Sequence, residues 1–262
     1  MNPCGVVYAP RRKSMHRNEL ESYLNQLLDI SHFHDYCPNG LQVEGRDQIH
    51  VLISGVTASL DLLQAAIAAD ADAVLVHHGY FWRGEDLRIT GMKSRRIALL
   101  LNREINLYAY HLPLDSHPQF GNNALLGQKL GFVETGRFGG QDIMMRGGLG
   151  DAMTLDALRE KIAQTLSRQP MVIGDPGKII RRIAWCTGGA QDYFDAAIQQ
   201  DVDAYITGEI SEHNVHAARE SGIAFIAAGH HATERYGVQA LGDHIAQQFG
   251  IRHQFIDIEN PV

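Results

Sequence analysis

Residues 50–79 read HVLISGVTASLDLLQAAIAADADAVLVHHG. A short apolar run, His50 to Gly55, ends in glycine and predicts a buried strand. Thr57 to Ala69 has helical composition, with Ser59 and Asp61 placed for its first turn. Ala73 to Val76 predicts a second strand, and His77-His78-Gly79 follow at once. The stretch is one βαβ unit, and two histidines stand where its second strand ends.

The same plan returns later. Ile183 to Cys186 predicts a strand, followed by Thr187-Gly188-Gly189. Ala190 to Gln200 predicts a helix, and Ala204 to Thr207 a strand ending at Gly208-Glu209. The two stretches align without a gap: Asp61 falls on Asp192, Asp70 on Asp201, Asp72 on Asp203, and His78 on Glu209. Beyond each lies another helix and strand. Arg95 to Asn102 and Ile105 to Tyr110 lead into His111-Leu112-Pro113-Leu114-Asp115. His213 to Glu220 and Ile223 to Ala227 lead into Gly229-His230-His231-Ala232-Thr233-Glu234.

The expected fold class is therefore α/β: two similar α/β lobes, an internal repeat, flanking a cleft, with a middle insertion. Chance similarity between two ordinary βαβ units is the alternative reading. The first lobe spans 15–127 and the second 181–262, together one functional unit. The inserted segment, 128–180, has its own helix near Leu155 to Leu166. Residues 1–14 lack a fold pattern and read as a disordered extension. A helix is expected from Asn18 to Ile30, where Leu20, Tyr23, Leu24, Leu27 and Leu28 recur at helical spacing.

Bulk composition removes several function classes. The net charge of -7, with no long basic run, gives no footprint for nucleic acid or membrane. No apolar stretch approaches the roughly 18 residues of a membrane span. The three cysteines, Cys4, Cys37 and Cys186, are far apart and form no CxxC, which excludes a disulfide framework and fits a reducing cytoplasm. Cys186 reads as a small buried hydrophobe.

The candidate chemistry sits at strand ends: His77, His78, Asp115, Glu209, His230, His231 and Glu234. Ligands in open α/β sheets gather beyond the carboxyl ends of the strands. Each residue also has a bland reading. A histidine after a strand serves equally as a hydrogen-bonded loop residue, Asp115 as a cap, and Glu234 as a first-turn carboxylate favoured by the helix dipole. Several such groups in one chain favour a metal centre. Adjacent histidines on extended backbone diverge and can reach two ions. His230 and Glu234, four apart, reach one ion if their helix begins by Ala232. Imidazole with carboxylate suits zinc, iron, manganese or nickel better than calcium. Tyr80, Phe81 and Trp82 are candidates for stacking or for core packing, and Gly188-Gly189 is a weak anion-binding signal. There is no Walker motif and no GxGxxG.

Taken in order, these segments resemble a known family. They are Asp35-Tyr36-Cys37-Pro38-Asn39-Gly40-Leu41-Gln42-Val43-Glu44-Gly45, Gly55-Val56-Thr57-Ala58-Ser59 and Val76-His77-His78-Gly79-Tyr80-Phe81-Trp82. They continue through His111 to Asp115, Gly121-Asn122-Asn123, Thr207-Gly208-Glu209 and Ala228 to Arg235. The chain resembles the GTP cyclohydrolase 1 type 2 homologues, and among them the YbgI-like dinuclear-metal proteins. The resemblance implies two divalent metal ions per subunit, held by His77, His78, Asp115, His230 and a bridging Glu234. It also implies a toroidal homohexamer with its metal sites facing an internal cavity. The expected function is a metal-dependent hydrolase acting on a nucleotide-like small molecule, of GTP cyclohydrolase type or in damaged-nucleotide handling. His231 or Glu209 would move protons as catalytic residues. The alternative is a non-catalytic metal carrier or regulatory scaffold. A nucleic-acid-binding ring is a weaker reading that the acidic total disfavours.

Overall fold

The structure is a computed structural model that describes residues 13–262. Most of the expected extension over 1–14, and Cys4 with it, lies outside the described residues. The strands in chain order are β1 (Met15–His16), β2 (Gly40–Val43), β3 (Gln48–Ile49), β4 (Val51–Thr57), β5 (Ala73–His78) and β6 (Asn106–Ala109). Then come β7 (Phe132–Phe138), β8 (Met144–Thr154), β9 (Met171–Ile173), β10 (Ile179–Trp185), β11 (Ala204–Thr207), β12 (Ala224–Ala227) and β13 (Arg252–Phe255). The helices are α1 (Arg17–Leu27), α2 (Leu60–Ala68), α3 (Gly91–Asn102), α4 (Leu112–Ser116) and α5 (Asn122–Leu130). They continue with α6 (Leu155–Leu166), α7 (Phe194–Ile198), α8 (Glu212–Ser221) and α9 (His230–Phe249).

Two sheets carry the molecule. One has the order β13-β4-β5-β6-β2, the other β7-β8-β10-β11-β12-β9, and β1 pairs with β3 in a small ribbon. In the first sheet β13, β4, β5 and β6 are parallel and β2 closes an edge antiparallel. In the second, β10, β11 and β12 are parallel, flanked by antiparallel partners. Parallel strands buried on both faces explain the unbroken apolar runs. Ile53, Val74 and Leu107 pack under α2 and α3. Leu52, Leu75 and Tyr108 face the other way, toward α1 and α9. Ile183, Trp185 and Ile206 pack on α5 and α6, and Tyr205 and Phe225 on α7 and α8.

The two parallel units share fine detail at the aligned positions. Leu52 pairs with Ala73 as Ile183 pairs with Ala204. One carboxylate oxygen of Asp72 accepts from the amides of His50 and Val51, and Asp203 does the same for Arg181 and Arg182. Asp70 and Asp201 both take φ of +54° in the turn before the second strand. Each aspartate thus closes the start of one strand onto the next.

The sheets draw the lobe boundaries elsewhere than the sequence suggests. Residues 128–180 form no separate body: β7, β8 and β9 are strands of the second sheet, and α6 covers its face. The 181–262 segment is shared, because β13 pairs with β4 and α9 packs Val238, Leu241 and Ile245 on the first sheet. Short-range periodicity carries no information about which sheet a strand joins. The helix expected over 190–200 is shorter, a 3-10 turn running into α7.

The aspartates yield a stability test. Replacing Asp72 by Ala strands two amides in the interior, a loss of about 1–3 kcal/mol. The Asp203→Ala loss is smaller, because 20% of that side chain is exposed against 8% for Asp72 and water can substitute. Urea unfolding of both variants checks the order, and equal losses reject it.

Candidate metal centre

The centre forms where the first sheet's strand ends meet the start of α9. Strand β5 runs through His78, so His77 and His78 lie on extended backbone, inside the strand and not after it. Their side chains leave opposite faces of the pleat at their roots. Both nonetheless turn to one carboxylate. His77 Nε2 lies 3.5 Å from Glu234 Oε1, and His78 Nε2 lies 3.2 Å from Oε2. Helix α9 begins at His230 itself, so His230 and Glu234 are one turn apart. His230 Nε2 comes to 3.0 Å from Oε2 of Glu234. Asp115, on α4, places Oδ1 3.4 Å from His77 Nε2.

All five residues expected as ligands are therefore brought together, in two groups that share Glu234. One is His77, Asp115 and Glu234; the other is His78, His230 and Glu234. The donor atoms within each group lie within 4.8 Å of one another, close enough for one ion. The first group is fully buried, the second partly open.

Each donor is held from behind. His77 Nδ1 donates to the carbonyl of Tyr110 at 2.9 Å, which leaves its Nε2 as the donor toward the centre. His230 Nδ1 donates to Glu209 at 2.5 Å, with the same result. His78 Nδ1 lies 3.1 Å from the Thr57 hydroxyl. Asp115 accepts from the Asn122 amide at 2.9 Å and the Thr187 hydroxyl at 3.3 Å. Outer partners of this kind orient metal ligands and fix histidine tautomers. Gly188 takes φ of +69°, and a Cβ there would collide with Oε1 of Glu234. This glycine clears room for the carboxylate, a role distinct from anion binding.

Two buried atoms at the centre call for a cation. His77 Nε2 and Glu234 Oε2 have no hydrogen-bond partner. Unpaired buried polar atoms are costly. A cation at each group would satisfy them.

Electrostatics points the same way. Burial pushes the His77 imidazolium down, yet Asp115 and Glu234 carry it well above the ordinary histidine range. Burial likewise opposes charge on His230, and Glu234 with Glu209 raises it to about 9. His78 is lowered, by burial first, with His77 and His230 adding repulsion against the pull of Glu234. Burial would raise Glu234, but the surrounding histidines hold it well below the carboxylate range.

Of the two residues expected to move protons, Glu209 stands behind His230. His231 belongs to neither donor group: its Nε2 pairs with Asp257 at 2.7 Å, and the residue lines the cavity beside His78 and His230. Sequence reasoning missed Asp35 and His111. His111 is four residues before Asp115, but Asp35 is 76 positions from it and carries no local signal. Asp35, Cys37 and His111 also cluster. Both Asp35 oxygens are already engaged, and burial beside Asp35 and Asp115 pushes the Cys37 thiol up to about 12. That trio offers no free anionic donor. Tyr80 belongs to the core, its hydroxyl donating to Ala58, whereas Trp82 faces His78 and His111.

Asp115 and Glu234 favour the protonated form of His77, and Glu234 with Glu209 that of His230, so metal uptake must compete with protons and weaken as pH falls. By the same linkage His230 stabilises the metal-free chain fully below about pH 6.5, and that gain is lost as pH rises through about 9. Calorimetric titration with zinc should give a heat that depends on buffer ionisation. Glu234→Gln and Gly188→Ala should each weaken uptake by about 10-fold or more. A buffer-independent heat, or wild-type uptake in both variants, would overturn the assignment.

Comparisons place the chain. Residues 15–261 match the family model Duf34/NIF3 (NGG1p interacting factor 3). A Pseudomonas aeruginosa relative named GTP cyclohydrolase 1 type 2 homolog is 56% identical, over 90% of this chain and 95% of that one. A Vibrio cholerae relative of the same name is 50% identical, over 95% of this chain and 100% of that one. Among solved structures, protein ybgI, described as of unknown function, superposes with a TM-score of 0.92 at 46% identity. It covers 95% of this chain and 100% of its own. TTHA1606 from Thermus thermophilus superposes at 0.85 with 32% identity, over 95% of this chain and 100% of that one. On the strength of this coverage and of a fold shared end to end, the chain belongs to the Duf34/NIF3 family.

Proposed function

We propose that the chain is a metal-dependent hydrolase that uses two divalent ions, zinc, iron, manganese or nickel, on a nucleotide-like small molecule. The observation that carries this reading is Glu234, whose two oxygens face two different donor groups. Bound there, a pair of dications supplies Lewis-acid polarisation and lowers the pKa of water. The chain's residues supply the rest. His77, Asp115 and Glu234 would hold the inner ion in a dry pocket. His78 and His230 would hold the outer ion at the edge of a cavity of about 250 Å³. That cavity is walled by Val56, Thr57, Glu209, His231 and Asn260. Glu209, with 36% of its side chain exposed, would accept a proton beside the outer ion.

Trp82 supports a planar substrate. Its ring lies 5.9 Å from His78 and 4.9 Å from His111, at the rim of the centre. Arg83 stacks on Tyr36 at 5.7 Å nearby, a cation suited to an acidic group. The burial of the inner group argues against a metal carrier, which must exchange its cargo. The names of the relatives point to cyclohydrolase-type chemistry, and damaged-nucleotide handling fits the same surface.

Zinc- or manganese-loaded protein should deplete a member of a purine nucleotide pool, followed by liquid chromatography. Asp115→Asn should lower that turnover by about 100-fold or more. Equal turnover in wild type and variant would sink the reading. We further read the chain as a cytoplasmic toroidal homohexamer; among the described residues no helix is long and apolar enough to cross a membrane. The exposed Leu87, Ile89 and Met92 supply apolar surface for a neighbouring copy. Light scattering at a mass other than six chains rejects that assembly.

A further inference from the structure

A third histidine ring faces the donors. His111 lies 5.0 Å from His77 and 5.8 Å from His78, ring to ring, and a nitrogen from each of the three falls within 4.8 Å of the others. It is anchored with unusual completeness for a loop residue. Its Nδ1 meets Asp35 Oδ1 at 2.7 Å, and its backbone N–H donates to Asn39 Oδ1 at 2.7 Å. Asp35 is itself fixed: it accepts from the amides of Tyr36 and Leu112 and from the Asn39 side chain. Trp82 closes edge-on against the ring at 4.9 Å. The ring itself hydrogen-bonds to none of the five ligands, although the His111 carbonyl accepts from the Asp115 amide at 3.1 Å.

The Asp35 carboxylate only accepts in its contact with His111 Nδ1. In the neutral ring this contact puts the hydrogen on Nδ1 and leaves Nε2 a lone-pair acceptor, and Nε2 has no partner among the described residues. The side chain is 15% exposed, so a small ligand can reach it. We propose that His111, positioned by Asp35, accepts a hydrogen bond from an O–H group of the ligand held at the metal centre. It thereby selects oxygen ligands that carry a hydrogen over those that do not. The inference rests on the metal-pair reading of the site. It assigns His111 a contact with the ligand, and Asp35 a positioning role behind it.

The test uses cobalt-loaded full-length protein, with visible absorption as the readout. Inorganic phosphate at neutral pH carries an O–H, and azide carries no hydrogen. His111→Phe should still take up as much cobalt as wild type. Its phosphate affinity should fall about tenfold, the worth of one hydrogen bond in such a site, with azide affinity nearly unchanged. Asp35→Asn should show the same split in weaker form. His111→Gln, which keeps an acceptor oxygen, should recover part of the loss. Phosphate binding that is equal in wild type and His111→Phe overturns the proposal, as does loss of cobalt from that variant. Failure of the wild type to take up cobalt would instead bring down the metal-pair reading beneath it.

Discussion

A carboxylate with only 2% of its surface exposed, Glu234, is fixed among three imidazoles. Burying an ionised group is expensive unless charge and hydrogen bonds surround it. Much of the local architecture meets that requirement. Strand β5 delivers two imidazoles, the first turn of α9 delivers the third, and Gly188 leaves space for the oxygens. The centre is also rich in negative charge. Asp115 and Glu234 contribute two negative charges directly, and Glu209 and Asp35 place two more behind His230 and His111.

Much of this was legible in the sequence because it is local. The strand-to-histidine junctions at His77 and His230 show as apolar runs that stop at polar pairs. The ungapped alignment of Asp72 with Asp203 reflects a real shared task, since both hold two amides at a strand entrance. What was not legible is long-range. Nothing in residues 128–180 says that β7, β8 and β9 join the later strands, because alternation can mark a strand but does not name the strand it pairs with. The Asp35–His111 pair spans 76 positions and is made by tertiary packing alone. His231 follows His230 directly but points about 100° away around the helix and pairs with Asp257, so it is not among the donors.

The two halves of the centre differ in a way that sets their duties. The inner group is buried at the end of β5, where a low dielectric strengthens ion contacts. The outer group borders a cavity, with 16% of His78 and 27% of His230 exposed. An ion in the first group would be the better retained, and one in the second the more open to ligands.

Helix α9 begins among the donors beside the second sheet and ends packed on the first, with Val238, Leu241 and Ile245 in that core. It works as a tie rod. A hinge motion that separated the sheets would have to pull this helix out of one of them, and with it His230 and Glu234 away from His77 and His78. An ion held at the centre also joins residues far apart in the chain, which removes loop entropy from the unfolded state much as a covalent link would. An ion bound at the centre would therefore also resist separation of the two sheets.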